Sequence, residues 1–99
     1  MRKIKIEAHP DAARLSKLKV NAWPEWEKES SIMPWTYVEA ETSYLIEGRA
    51  IITPEGGDPV EISKGNLVTF PAGMSCIWNI IEPVRKRYRI GTTSNQIRI

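Results

Sequence analysis

The chain is poor in the residues from which most enzyme centres are built. It has one cysteine, Cys76, and one histidine, His9, in 99 residues. A single cysteine excludes an internal disulfide and fits a reducing compartment. A single histidine excludes the common metal sites that need two or three imidazoles. No apolar run approaches the length of a membrane span. The opening "MRKIKIEAHPDA" has no long apolar stretch behind its basic residues, which argues against a secretory signal and makes the cytoplasm the expected location. Charge of one sign is also lacking. With a net charge of +2 there is no strong field and no case for a nucleic-acid partner.

What is present is ordinary for one globular domain: 26% charged and 41% hydrophobic residues, enough for a single modest core. "KIKIEA" alternates lysine and isoleucine and predicts a first strand. "HPDAARLSKLKV" is the one helix-like stretch. Pro10 suits its first turn, Asp11 its positive end, and Leu15 and Leu18 share a face, so one or two turns are expected. Strands and turns follow. Pro24 and Pro34 keep the strands of "WPEWEKESSIMPW" short or at an edge. "TYVEAETSYLIE" reads as one long extended stretch, Gly48 as a bend or bulge, and "PEGGDP" as a turn. "SCIWNII" and "EPVRKRYRI" read as two successive strands. Short strands at regular spacing argue for an all-β sandwich or barrel. The expected layout is one domain: residues 1–22 a strand and short helix, 23–90 the barrel, 91–99 a loose tail.

"GNLVTFPAGMSC" carries Gly65, Pro71 and Gly73 in the spacing G-x5-P-x-G, a turn, a strand and a tight turn. This resembles the second motif of the cupin superfamily, G-x5-P-x-G-x2-H-x3-N. Glu41 with Gly48 resembles the end of the first, H-x-H-x3-E-x6-G, and residues 49–64 match a short inter-motif loop. The stretches "WPEWEKE", "WTYVEAETSYLIEG", "KGNLVTFPAGMSCIW" and "EPVRKRY" resemble the small single-domain Cupin_3 (DUF861) family, grouped with ureidoglycine aminohydrolase. The resemblance implies a double-stranded β-helix, a jelly-roll barrel of six to eight strands that is often dimeric. It also exposes departures. The metal-ligand positions of the motifs fall at Trp35, Tyr37, Glu41 and Cys76, and only the glutamate is kept. No residue matches the four corresponding positions of ureidoglycine aminohydrolase.

Strand alternation puts Trp35, Tyr37, Glu41, Ser43 and Leu45 on one face, and Cys76 with Trp78 on another strand's face. The resemblance turns both faces inward. The expected result is a pocket with aromatic walls, one carboxylate and one thiol, in a barrel with room for one small ligand. A bare carboxylate there is costly, so Glu41 must be paired with a cation, hydrogen-bonded or protonated. If Tyr88 and Ile90 face the interior, Lys86 does too and becomes the partner; the opposite parity would aim an arginine, Arg85, Arg87 or Arg89, inward in its place. Such a pair suits a small polar or zwitterionic molecule, or serves only as a structural ion pair. Expected ligand-binding residues are therefore Trp35, Tyr37, Glu41, Cys76, Trp78 and Lys86.

No cofactor is expected. If a divalent or copper ion did bind, Tyr37, Glu41 and Cys76 would hold it. Cys76 lacks a base to activate it and is expected to pack as a small hydrophobe. Apolar Tyr44 and Ile46 on the opposite face, with Trp23 and Trp26 on opposite sides of their segment, suggest a homodimer through sheet packing or a partial second core. The leading expectation is a cupin that binds a polar small molecule without a histidine metal centre. The alternatives are a metal-dependent enzyme acting on a small nitrogenous metabolite, and a non-catalytic structural or interaction module.

Overall fold

The computed structural model describes residues 3–91. The expected tail at 91–99 lies outside the described residues except for Gly91. Seven strands account for most of the rest: β1 Lys5–Glu7, β2 Glu25–Lys28, β3 Ser31–Thr36, β4 Glu41–Pro54, β5 Val60–Ser63, β6 Leu67–Phe70 and β7 Ser75–Ile90. One short helix, α1 Ala12–Leu18, lies between β1 and β2 and is followed by a single 3-10 turn. All pairings are antiparallel, in the order β1-β6-β4-β7-β2, with β3 also on β7 and β5 also on β4.

The two long strands create the barrel. The first half of β7 pairs with β3 and its second half with β2, while β4 runs alongside both halves. β4 in turn pairs with β6 through its first half and with β5 through its second. Each long strand thus belongs to two layers, and the sheet closes on itself as a jelly roll. The core between the layers is continuous, from Leu45, Ile52 and Ile62 to Val68, Phe70 and Trp78.

Gly48 lets β4 serve both layers. Buried positions before it are odd (Glu41, Ser43, Leu45) and after it even (Ala50, Ile52). A bulge inserts the extra residue that changes this parity, and the β4–β7 register shifts between Leu45 and Ala50. Gly48 has φ +97° and lies against the Pro83 carbonyl, so only a residue without a Cβ fits. Pro83 has no β4 partner at this irregularity, so its missing N–H breaks no ladder there. For that reason 75–90 is one strand, where two were expected.

The stretch expected to be extended from Thr36 to Glu47 is also corrected. It breaks between β3 and β4, because Tyr37 bonds to the Pro71–Met74 turn instead of a neighbouring strand. Tyr37 N donates to Met74 O at 2.8 Å and Gly73 N donates to Tyr37 O at 2.5 Å. At α1 the cap is Asp11, whose side chain accepts from Arg14 N at 2.9 Å, so Pro10 stands just before the helix and not in its first turn.

Trp23 and Trp26 do lie on opposite sides. Trp23 joins Val20 and Leu67 in a second cluster, with Leu15, Leu18 and Tyr44 packed against it. The N-terminal segment therefore covers the Tyr44 face, which answers the partial-second-core alternative. No helix among the described residues is long and apolar enough to cross a membrane.

Candidate functional site

At the second half of β7, alternation turns Val84 and Lys86 inward, while Arg85 and Arg87 sit on the outer side in ion pairs with Glu25 and Glu47. On β4 the same rule turns Glu41 and Ser43 inward. The result is a buried polar triad. Lys86 Nζ donates to Glu41 Oε2 at 2.6 Å and to Ser43 Oγ at 3.1 Å, and Ser43 Oγ donates to the same Glu41 oxygen at 2.8 Å. Both bonds among described residues reach Oε2, which leaves Oε1 free to accept. Short charge-assisted bonds of this kind return part of the cost of taking two charges out of water.

Aromatic rings enclose the ammonium. Its nitrogen is 5.1 Å from the ring centroids of Trp26 and Trp78, 5.8 Å from Tyr88 and 6.0 Å from Phe70. Cation–π attraction at such desolvated sites contributes about 2 kcal/mol. Burial nonetheless pulls the Lys86 pKa below the ordinary lysine value, and the adjacent Glu41 carboxylate opposes that shift.

A cavity of about 290 Å³ opens above the pair. Its floor is Glu41 and Lys86, and its walls are Tyr37, Trp78, Trp26 and Tyr88. Its rim is Met33, Trp35 and Ile90; Trp35 and Ile90 are about half exposed. Two larger depressions lie on the outside of the barrel, one along Glu27–Ser31 and one beside α1, and neither gathers buried charged groups.

Tyr37 is held deep in the wall. Its ring stacks on Phe70 with centroids 4.5 Å apart, and its hydroxyl accepts from Trp78 Nε1 at 3.1 Å. Burial first, and then the Glu41 charge, push its phenol far above the ordinary range, so it stays a neutral donor.

Five of the six residues proposed from sequence therefore line one cavity: Trp35, Tyr37, Glu41, Trp78 and Lys86. Cys76 does not line it. Its thiol is buried in the core beneath, in strand register with Trp35, and burial pushes its pKa up to about 11 despite the nearby Lys86 cation. Sequence reasoning missed Trp26 and Met33. Trp26 reaches the cavity because β2 pairs with β7 and sets Trp26 directly across from Lys86. Alternation alone gives the side of the chain on which Trp26 lies, not its partner.

The donor set does not fit a metal. Glu41 Oε2 is committed to an ammonium, and Cys76 lies in the core and does not line the cavity with Tyr37 and Glu41. His9 is exposed and packs over Gly65, away from the cavity. No group of three or more His, Cys, Asp or Glu side chains able to hold a metal occurs among the described residues.

Comparison with known proteins places this arrangement in a family. The model of the EutQ-like cupin domain, Cupin_3, matches residues 15–88. A DUF861 family protein from Thermotoga maritima is 46% identical, with 89% of this chain and 99% of that one covered and a TM-score of 0.86. The EutQ protein of Clostridium difficile is 24% identical over 71% of this chain and 55% of its own, with a TM-score of 0.62. A putative ethanolamine utilization protein Q from Salmonella typhimurium gives 22%, 68%, 54% and 0.62 for the same quantities. No protein of curated function matches. The fold, the motif spacing and these matches agree: the chain belongs to the EutQ-like cupin (Cupin_3, DUF861) family.

Proposed function

We propose that this cupin binds a small polar molecule of zero net charge in the barrel, without a metal centre. One observation carries the reading. A buried carboxylate and a buried ammonium, 2.6 Å apart, form the floor of a cavity with aromatic walls. Their charges cancel, so an ion of either sign would bring an uncompensated charge into an apolar site. A neutral or zwitterionic guest brings none. It can donate to Glu41 Oε1 and accept from the third N–H of Lys86 or from the Tyr37 hydroxyl. Trp26, Trp78 and Tyr88 supply flat apolar surface for the rest of it. The cavity volume, near the lower end for small-molecule sites, limits the guest to a small metabolite.

The open cavity speaks against a barrel filled entirely by its own side chains. The Glu41–Lys86 pair speaks against the metal-dependent alternative, because a cation would have to displace the ammonium.

A thermal-shift screen with Trp fluorescence tests the reading. The panel holds small neutral amides, amino acids, simple carboxylates and amines including ethanolamine. Neutral and zwitterionic members should raise the melting temperature saturably, since a ligand at a hundred times its Kd adds about 2.7 kcal/mol. Glu41→Gln and Tyr37→Phe should weaken that response. Full retention of binding in both variants would place the ligand elsewhere.

A further inference from the structure

We propose that Lys86 is an amine nucleophile that condenses with a small aldehyde or ketone entering the cavity, forming an iminium. The inference rests on the ligand-binding reading above and adds a chemical class to it. Three features of the geometry support it.

First, the amine is where a guest must come. Lys86 Nζ sits on the cavity floor, and two of its three N–H groups go to Glu41 and Ser43, leaving one direction toward the opening. Second, a proton carrier is in place. Glu41 Oε2 is 2.6 Å from the nitrogen, close enough to take a proton and return it. Third, the surroundings suit the product. An iminium has the same charge as the ammonium it replaces. The ring faces of Trp26 and Trp78 and the Glu41 carboxylate would stabilise it as they stabilise the ammonium. Burial also favours loss of the ammonium proton, the usual requirement for amine nucleophiles in apolar sites.

The step balances without an oxidant or reductant. Glu41 takes one proton from the Lys86 ammonium. The freed lone pair forms a bond from Nζ to the carbonyl carbon, and the C=O π pair moves to oxygen. A proton passes from nitrogen to that oxygen, giving a carbinolamine. Glu41 then protonates the hydroxyl, the C–O bond breaks, water leaves, and the nitrogen lone pair closes the C=N bond. Ammonium plus carbonyl has become iminium plus water, and Glu41 is a carboxylate again.

Reductive trapping tests this on the full chain. The folded protein is incubated at pH 7 with propanal or butanone and sodium cyanoborohydride, and each lysine is followed by peptide mass mapping. Lys3, Lys5, Lys17, Lys19, Lys28 and Lys64 are internal controls. Lys86 should label severalfold faster than their mean, because it combines a cavity position with a proton carrier 2.6 Å from its nitrogen. Lys86→Arg keeps the charge, cannot form an imine, and should show no preferred site. Glu41→Gln removes the charge that favours the ammonium but also the acid that expels water from the carbinolamine, so labelling of Lys86 should still slow, with the six other lysines unchanged and circular dichroism confirming the fold. Labelling of Lys86 no faster than the controls overturns the proposal. If the neutral and zwitterionic panel still binds in that case, the ligand-binding reading stands and only the imine is lost. If neither the panel nor the carbonyl compounds act on the protein, both are lost.

Discussion

Trp26 and Lys86 stand directly opposite each other on paired strands, with the indole centroid 5.1 Å from the ammonium nitrogen. Trp78 sits at the same distance, and Glu41 Oε2 is closer still. The lysine is thus held between a carboxylate from β4 and ring faces from β2, β6 and its own strand β7. Breaking one side of this arrangement should cost more than removing all of it.

The first prediction follows from that asymmetry. Lys86→Met leaves a buried carboxylate with only Ser43 as donor, and Glu41→Gln leaves a buried ammonium without its counter-charge. Each should lower unfolding stability by about 3–5 kcal/mol. The double variant should cost less than the sum, because neither charge remains. Urea unfolding at pH 7 of the four proteins gives the coupling directly. Simple additivity would mean that the two groups do not interact.

At the bulge, Gly48→Ala should destabilise by at least about 1–3 kcal/mol. It forces a Cβ onto a backbone with positive φ and against the Pro83 carbonyl. Gly56→Ala is the comparison, since it has φ +74° but open space around it. It should cost less, and the difference reports the close approach of β4 and β7. Equal losses would remove the packing argument.

Cys76 should be chemically quiet. With its pKa near 11 in place of 9.0, the thiolate fraction at pH 8 falls about a hundredfold. Iodoacetamide should modify the native protein slowly and the urea-unfolded protein quickly. The stability consequence has a definite sign. The unfolded thiol ionises near 9 and the folded one near 11, so this group's contribution is complete below pH 9 and is lost as pH rises toward 11. Cys76→Ala should flatten that alkaline decline relative to wild type.

Tyr37→Phe removes the acceptor of a buried indole N–H. The unsatisfied donor should cost about 1–3 kcal/mol in urea unfolding. Tyr37→Phe with Trp78→Phe should recover part of that loss, because the second change removes the orphaned donor.

Much of this site is readable from alternation in the sequence. Glu41, Ser43 and Leu45 share a face because strands have a period of two, and the parity of Tyr88 and Ile90 carries Lys86 inward with them. The two glycine-bearing motifs give the barrel. Two features are not local and so are not legible. The turn at Tyr37–Ala40 is set by hydrogen bonds from residues 73 and 74, more than thirty positions along the chain. The place of Trp26 depends on β2 pairing with β7, a choice made by the whole sheet. Cys76 shows the limit of parity from the other side. It faces inward as expected, but an inward side chain can line a cavity or lie beneath it, and Cys76 lies beneath.

The central claim is that a small neutral or zwitterionic molecule enters the barrel above Glu41 and Lys86. The four tryptophans make it directly measurable, because Trp26, Trp35 and Trp78 line the cavity while Trp23 belongs to the separate N-terminal cluster. Nitrogen–proton correlation spectra of the indole groups, recorded while the panel is titrated in, should show Trp26, Trp35 and Trp78 shifting saturably with one common Kd and Trp23 unmoved. Shifts confined to Trp23, or no saturable shift at the three cavity indoles for any member, would contradict the account.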